Sequence, residues 1–122
     1  MSFSCPFCSP GTPVLENAFW YARYDAFPVS PGHLLIISRR HTTSWFDLTA
    51  EEQEAMLALV RAGKSHLDIT YHPDGYNIGI NCGVAAGQTI PHVHLHLIPR
   101  YAGDTPFPRG GVRGVIPEKQ NY

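Results

Sequence analysis

The run Pro91-His92-Val93-His94-Leu95-His96-Leu97-Ile98 restricts this chain more than any other segment. Histidine and apolar residues alternate through it, the pattern of a strand with one face in a core and the other free. His92, His94 and His96 share one face of such a strand, and Val93, Leu95 and Leu97 share the other. Neighbouring imidazoles are then about 6–7 Å apart, two rises of roughly 3.3 Å. Three imidazoles this close do not protonate together, because each cation disfavours the next. A neutral ring with a protonated neighbour is what a nucleophile and its acid require.

Three readings fit the strand. It is an exposed face without a role, a three-histidine metal site, or a nucleophilic site for a phosphorus centre. The flanking residues favour the third. The Gly83–Thr89 loop, with Gly87 before Gln88 and Thr89, can aim backbone N–H groups and a hydroxyl at a phosphate. Asn81, on the polar face of the preceding strand, adds a neutral donor. A net charge of −1 and a pI near 6.6 exclude nucleic-acid binding by bulk charge, so any anion is held by a local site.

The rest of the chain reads as a single domain over residues 1–122. Residues 1–13 form an irregular lead-in with three prolines and a glycine. The aromatic-rich Val14–Asp25 segment is extended, with a turn at Glu16-Asn17 between two strands, and Leu34–Ser38 suits a buried strand. Thr49 and Glu52 fit a capping box, and Met56, Leu59, Val60, Gly63 and Leu67 recur at helical spacing, predicting a helix over about residues 50–68. Tyr76–Cys82 alternates as a strand after the Pro73-Asp74-Gly75 turn, and the last strand is expected around His92–Ile98. The tail from Pro99 is rich in Gly, Pro and Arg and lacks periodicity. Several strands and one major helix with hairpin-like links indicate an α+β fold with a mainly antiparallel sheet. No apolar run is long enough to span a bilayer, no signal peptide is evident, and three cysteines are an odd number for a disulfide framework. The chain therefore reads as cytoplasmic, with no membrane partner.

The His92–Ile98 run resembles the signature of the histidine triad (HIT) family, and Gly87-Gln88-Thr89 resembles that family's upstream Gly-Gln-Ser/Thr. A second block supports it: Asp25-Ala-Phe-Pro28, Pro31-Gly32-His33-Leu-Leu-Ile-Ile37, His41, then Phe46-Asp47-Leu48-Thr49. The resemblance implies an antiparallel sheet of about five strands with one major helix, commonly in a homodimer. It implies a hydrolase or transferase that cleaves at the α-phosphate of a nucleotide through a covalent nucleotidyl-histidine. His94 would be the nucleophile; His96 would bond the phosphate and assist the leaving group; His92 would support them. Gln88, Thr89 and Asn81 would hold phosphate oxygens, and Asp25 would accept the ribose hydroxyls. Phe19, Tyr21 and Phe27 are candidates to sandwich the base, and His33 is expected beside the triad, whereas His66 and His72 read as surface or turn residues.

Pro99-Arg100-Tyr101-Ala-Gly-Asp104 resembles the diadenosine polyphosphate hydrolase branch more than the phosphoramidase branch. Arg100, Arg109 and Arg113 would then face the distal phosphates, with a divalent cation such as magnesium accompanying them, or else be ordinary surface charge. An adenosine phosphoramidase-type P–N hydrolase and a non-catalytic nucleotide-binding module are the alternatives. Cys5-Pro-Phe-Cys8 resembles a glutaredoxin-type redox pair, but Ser9-Pro10-Gly11-Thr12-Pro13 follows it where that chemistry needs a helix. The HIT resemblance offers structural zinc instead, on Cys5, Cys8, His41 and His92. In that case His92 holds the strand and relays no proton. The Cys8–Asp25 stretch is short for a zinc-bearing member, so their N-terminal helix is expected to be missing.

Overall fold

Five strands form one antiparallel sheet in the order β1-β2-β3-β5-β4, as the α+β expectation requires: β1 (Leu15–Glu16), β2 (Trp20–Tyr24), β3 (Leu34–Ser38), β4 (Gly75–Gly79) and β5 (His94–Arg100). This is a computed structural model and describes residues 4–122; the first three residues of the lead-in lie outside the described residues. One long helix, α1 (Ala50–Tyr71), covers one face of the sheet. Among the described residues no helix precedes the 3-10 turn at Trp45–Asp47, and none is long and apolar enough to cross a membrane.

Helix α1 starts where the capping box places it. Thr49 Oγ1 accepts from the Glu52 N–H at 3.1 Å, and Glu52 Oε1 accepts from the Thr49 N–H at 2.9 Å. Glu52 also takes a bidentate pair from Arg40, at 3.0 and 2.8 Å, and this guanidinium holds its buried carboxyl down at a pKa of about 2. Arg40 is thereby fixed next to His41. The helix runs three residues past the expected end at 68 because Tyr71, one turn after Leu67, still packs on the core. It stops when His72 takes the left-handed conformation at φ 53° before Pro73.

Met56, Leu59 and Leu67 of the helix pack on Trp20, Leu34, Ile36, Leu95 and Leu97 of the sheet. Gly63 lets the two layers approach: a Cβ there would lie 3.1 Å from Leu97 and 3.2 Å from Leu34. The opposite face carries a smaller core of Phe7, Tyr21, Leu35 and Ile37. Pairing of Leu35 with His96 and Ile37 with His94 puts both imidazoles on that second face, away from the helix. Arginines and imidazoles can stand there because no helix covers it among the described residues, only the lead-in and the loop at Ile90.

Several boundaries differ from the sequence expectation. The turn between β1 and β2 falls at 17–19, since Asn17 Oδ1 caps the Phe19 and Trp20 N–H groups. Strand β4 ends at Gly79, so Asn81 lies in the following loop and not on a strand. Strand β5 is shifted two residues later, to His94–Arg100. Pro99 is tolerated because β3 pairing ends at Leu34↔Leu97, leaving only β4 alongside. The aperiodic tail contains two short 3-10 helices, Gly111–Val115 and Pro117–Lys119.

Candidate active site

His94 and His96 project from β5 with ring centroids 5.2 Å apart, both half-buried. Their hydrogen bonds settle which nitrogens carry protons. His94 Nδ1 lies 2.8 Å from the His92 carbonyl oxygen, which can only accept, so Nδ1 holds the proton and Nε2 has a free lone pair. His33 Nδ1 accepts from the Val29 N–H at 3.1 Å, so His33 Nε2–H donates to His96 Nδ1 at 3.0 Å. The proton of neutral His96 is then on Nε2. One imidazole presents a lone pair and its neighbour presents an N–H. Burial pushes the pKa values of His33 and His96 below the usual imidazole value; His94 and His33 add to this at His96, while Asp25 opposes it.

The third histidine faces elsewhere. His92 is fully buried, and its Nε2–H donates to the Ser38 carbonyl oxygen at 2.6 Å. Its Nδ1 lone pair points at Cys5 Sγ (3.3 Å), Cys8 Sγ (3.7 Å) and His41 Nδ1 (3.2 Å), while Cys8 Sγ and His41 Nδ1 are 3.1 Å apart. All four ligand atoms lie within 4.8 Å of one another. A tetrahedral ion with bonds of about 2.0–2.3 Å requires ligand separations of about 3.3–3.8 Å. The donor set, its spacing and the His92–Ser38 bond that orients the ring all fit a closed metal site. Burial is the main influence on His92 and lowers its pKa, keeping it in the ligating form.

Two cavities flank the His94–His96 pair. One, of about 280 Å³, is walled by Phe7, Asp25, Phe27, Leu35 and Ile90. Phe7 meets the His94 ring edge-on at 4.8 Å and carries the Arg23 guanidinium 4.9 Å from its centroid. Asp25 fixes the neighbouring loop through the Phe27 N–H (2.9 Å) and has Oδ2 3.5 Å from His33 Nε2. Apolar walls with a carboxylate at the rim suit a nucleoside. The other cavity, of about 430 Å³, has His33, His96 and Asn81 in its lining. Among the described residues the half-buried Asn81 amide makes no protein hydrogen bond, so it is available to a ligand.

Other residues expected at the site are engaged differently. Gln88 is buried and bolts its loop: Oε1 accepts from the Gly83 N–H (2.8 Å), and Nε2 donates to Thr43 O (2.8 Å) and Ile90 O (3.2 Å). Its donors are used by backbone. Thr89 is exposed in the same loop. Arg100 directs Nε and Nη2 at Asp104, each at 2.8 Å, and Nη1 at Asn77 Oδ1 at 2.6 Å. Arg109 and Arg113 lie over the Tyr122 ring. Tyr21 cannot sandwich a base, because it is fully buried with its hydroxyl donating to Phe7 O, and Phe19 lines a cavity with Arg39 and Thr49 instead. His66 takes the Tyr24 hydroxyl and His72 caps α1. Phe7 is the contact that sequence reasoning missed; its place between two candidate ligands, Cys5 and Cys8, was the available signal.

The model of the HIT domain matches residues 8–103, and the chain belongs to the HIT domain family. The AP-4-A phosphorylase of Mycobacterium tuberculosis is 32% identical over 98 residues, which cover 80% of this chain and 50% of that protein. The asymmetrical bis(5'-nucleosyl)-tetraphosphatase of Schizosaccharomyces pombe is 42% identical over 97 residues, covering 75% and 53%. The chain thus spans about half the length of these curated relatives. A Zn-bound histidine triad family protein from Mycobacterium smegmatis superposes with a TM-score of 0.75 at 35% identity, covering 84% of this chain and 78% of that one.

Proposed function

We infer that the chain is a nucleotide hydrolase or transferase that cleaves a dinucleoside polyphosphate at the α-phosphate through a covalent nucleotidyl-His94. One observation carries the reading: the His94 Nδ1–H bond to the His92 carbonyl, which leaves Nε2 as a lone pair facing the site. The names of the two curated relatives support the substrate class.

The base enters the cavity beside Phe7 and Phe27, and the ribose hydroxyls reach Asp25. His94 Nε2 attacks the α-phosphorus, a P–N bond forms, and the P–O bond to the leaving group breaks. The leaving phosphate oxygen departs as an anion that accepts a hydrogen bond from His96 Nε2–H, whose ring stays aligned because Nδ1 is held by His33. Asn81 and the exposed Thr89 hydroxyl steady phosphate oxygens as charge builds. Water then attacks the nucleotidyl-histidine as the P–N bond breaks, its proton passes to solvent, and both rings return to their starting state.

Structural zinc on Cys5, Cys8, His41 and His92 belongs to this reading; when bound it supplies a fixed tetrahedral anchor for the lead-in and for His92. Magnesium would accompany the polyphosphate, and the homodimer implied by the resemblance is checked by sedimentation. The deciding experiment is a rapid quench with a radiolabelled dinucleoside tetraphosphate. A labelled adduct on His94, absent in His94→Ala, is the expected result. Turnover unchanged in His94→Ala would overturn the assignment. Faster cleavage of a nucleoside phosphoramidate than of any dinucleotide would move it to the P–N alternative.

A further inference from the structure

We propose that the cavity on the His96 side is a leaving-group subsite that takes an uncharged ring, the second nucleobase of a dinucleotide, and that the C-terminal tail forms its outer wall. This rests on the hydrolase reading above and names the leaving group that the site accepts.

The lining carries the argument. Val29 comes from the loop before β3, Ile98 from β5, and Val112 and Val115 from the tail helix Gly111–Val115, while Asn77 and Asn81 place amides at the edges. Apolar walls with a few amides suit a flat heterocycle, whose faces stack and whose edges hydrogen-bond. They do not suit a row of phosphates. No Lys or Arg lines the cavity among the described residues, and the three arginines nearest in sequence are held by Asp104, Asn77 and the Tyr122 ring. His96 is itself part of the wall, and its ring lies 5.2 Å from that of His94. A group leaving the α-phosphorus therefore enters this space directly.

The tail is built to hold that wall in place. Gln120 Nε2 donates to Arg109 O at 3.2 Å, and Arg113 Nη2 donates to Lys119 O at 2.8 Å, so the two 3-10 helices lock together. Gly110, at φ 87°, lets Gln120 close over it: a Cβ there would lie 1.9 Å from the Gln120 carbonyl oxygen. A segment with no apolar periodicity is thus ordered by its own polar bolts, which leaves the Val112 and Val115 side chains exposed and free to meet a ligand.

Two measurements test the proposal. In the first, adenosine and, separately, inorganic tripolyphosphate are titrated into the full chain, with backbone amide shifts followed by NMR. Adenosine is expected to move the Gly111, Val112 and Gly114 amides, and Val115→Asp to abolish those shifts while shifts at Asp25 and Phe27 persist. Tail shifts from tripolyphosphate but not adenosine, or none from either, would overturn the subsite. In the second, kcat/KM for diadenosine tetraphosphate is compared with that for adenosine tetraphosphate, which lacks the second nucleoside. The dinucleotide is expected to be favoured about tenfold or more in the wild type. In Val115→Asp and Gly110→Ala that preference should collapse. Equal values in the wild type, or equal losses for both substrates in the variants, would overturn it. No His94 adduct with either substrate would instead overturn the hydrolase reading, and the NMR result would still decide the subsite.

Discussion

Gly32→Ala tests how the backbone before His33 controls the site. Gly32 adopts φ 87°, and an added Cβ would lie 2.9 Å from Tyr71 Cδ2 and 3.2 Å from Leu67 Cδ2. An L side chain in the left-handed region costs about 1–2 kcal/mol. Forcing a methyl into packed side chains adds about 1–3 kcal/mol. The sum, about 2–5 kcal/mol, corresponds to a fall in Tm of roughly 8–20 °C for a chain of this size. The two parts separate in a Tyr71→Ala background. There the ring contact is gone, and the backbone strain of about 1–2 kcal/mol should remain together with the looser Leu67 contact. Because residue 32 leads directly into His33, the displaced peptide should also disturb the 3.0 Å His33–His96 bond. The single-turnover rate should therefore fall more than substrate affinity. Calorimetry and rapid-quench kinetics read both effects. A loss below about 0.5 kcal/mol would refute the strain argument, and an equal loss in both backgrounds would refute the Tyr71 contact.

Cys5→Ser should lower both bound metal and Tm; wild-type protein free of metal on elemental analysis would overturn the Cys5/Cys8/His41/His92 site. His33 and His96 have folded-state pKa values below 6.5, so the unfolded chain takes up protons first on acidification. Their contribution to stability is therefore complete above about pH 7 and is lost as pH falls through and below about 6.5. Urea unfolding from about pH 7.5 to 5 checks this, and a flat profile would refute it. Gln88→Ala removes three hydrogen bonds that anchor the Gly83–Thr89 loop. It should destabilise by about 1–3 kcal/mol and speed amide exchange at Gly83; unchanged exchange there would show that the loop does not depend on Gln88.

The parts legible in the sequence are those governed by one local rule. Alternation in His94–Ile98 marks a strand and its two faces, and Thr49 with Glu52 marks the start of α1. What was illegible depends on partners far along the chain. Arg100 reads as a phosphate ligand until Asp104 and Asn77 are seen to take its donors. Gln88 reads as a site residue, yet its amide meets Thr43, which a strand and a helix separate from it in sequence. Tyr21 reads as a base platform, but strand parity sends it into the smaller core under Phe7. The tail carries no periodic signal because backbone carbonyls and Gln120 order it, not an apolar face. Tautomers were the least accessible: the free lone pair on His94 follows from a carbonyl two residues back, and the proton on His96 from the Val29 N–H, through His33.

Among the described residues His92 makes the hydrogen bond of longest sequence separation. Its Nδ1 meets Cys5 across 87 positions, and its carbonyl sets the His94 proton. Contacts of such separation form late, after local elements are in place. A chain whose lead-in has not yet docked would have its sheet and helix largely formed, with His92 not yet held by Cys5 and Cys8. On the hydrolase reading, reactivity toward nucleotides would appear only once that closure is made.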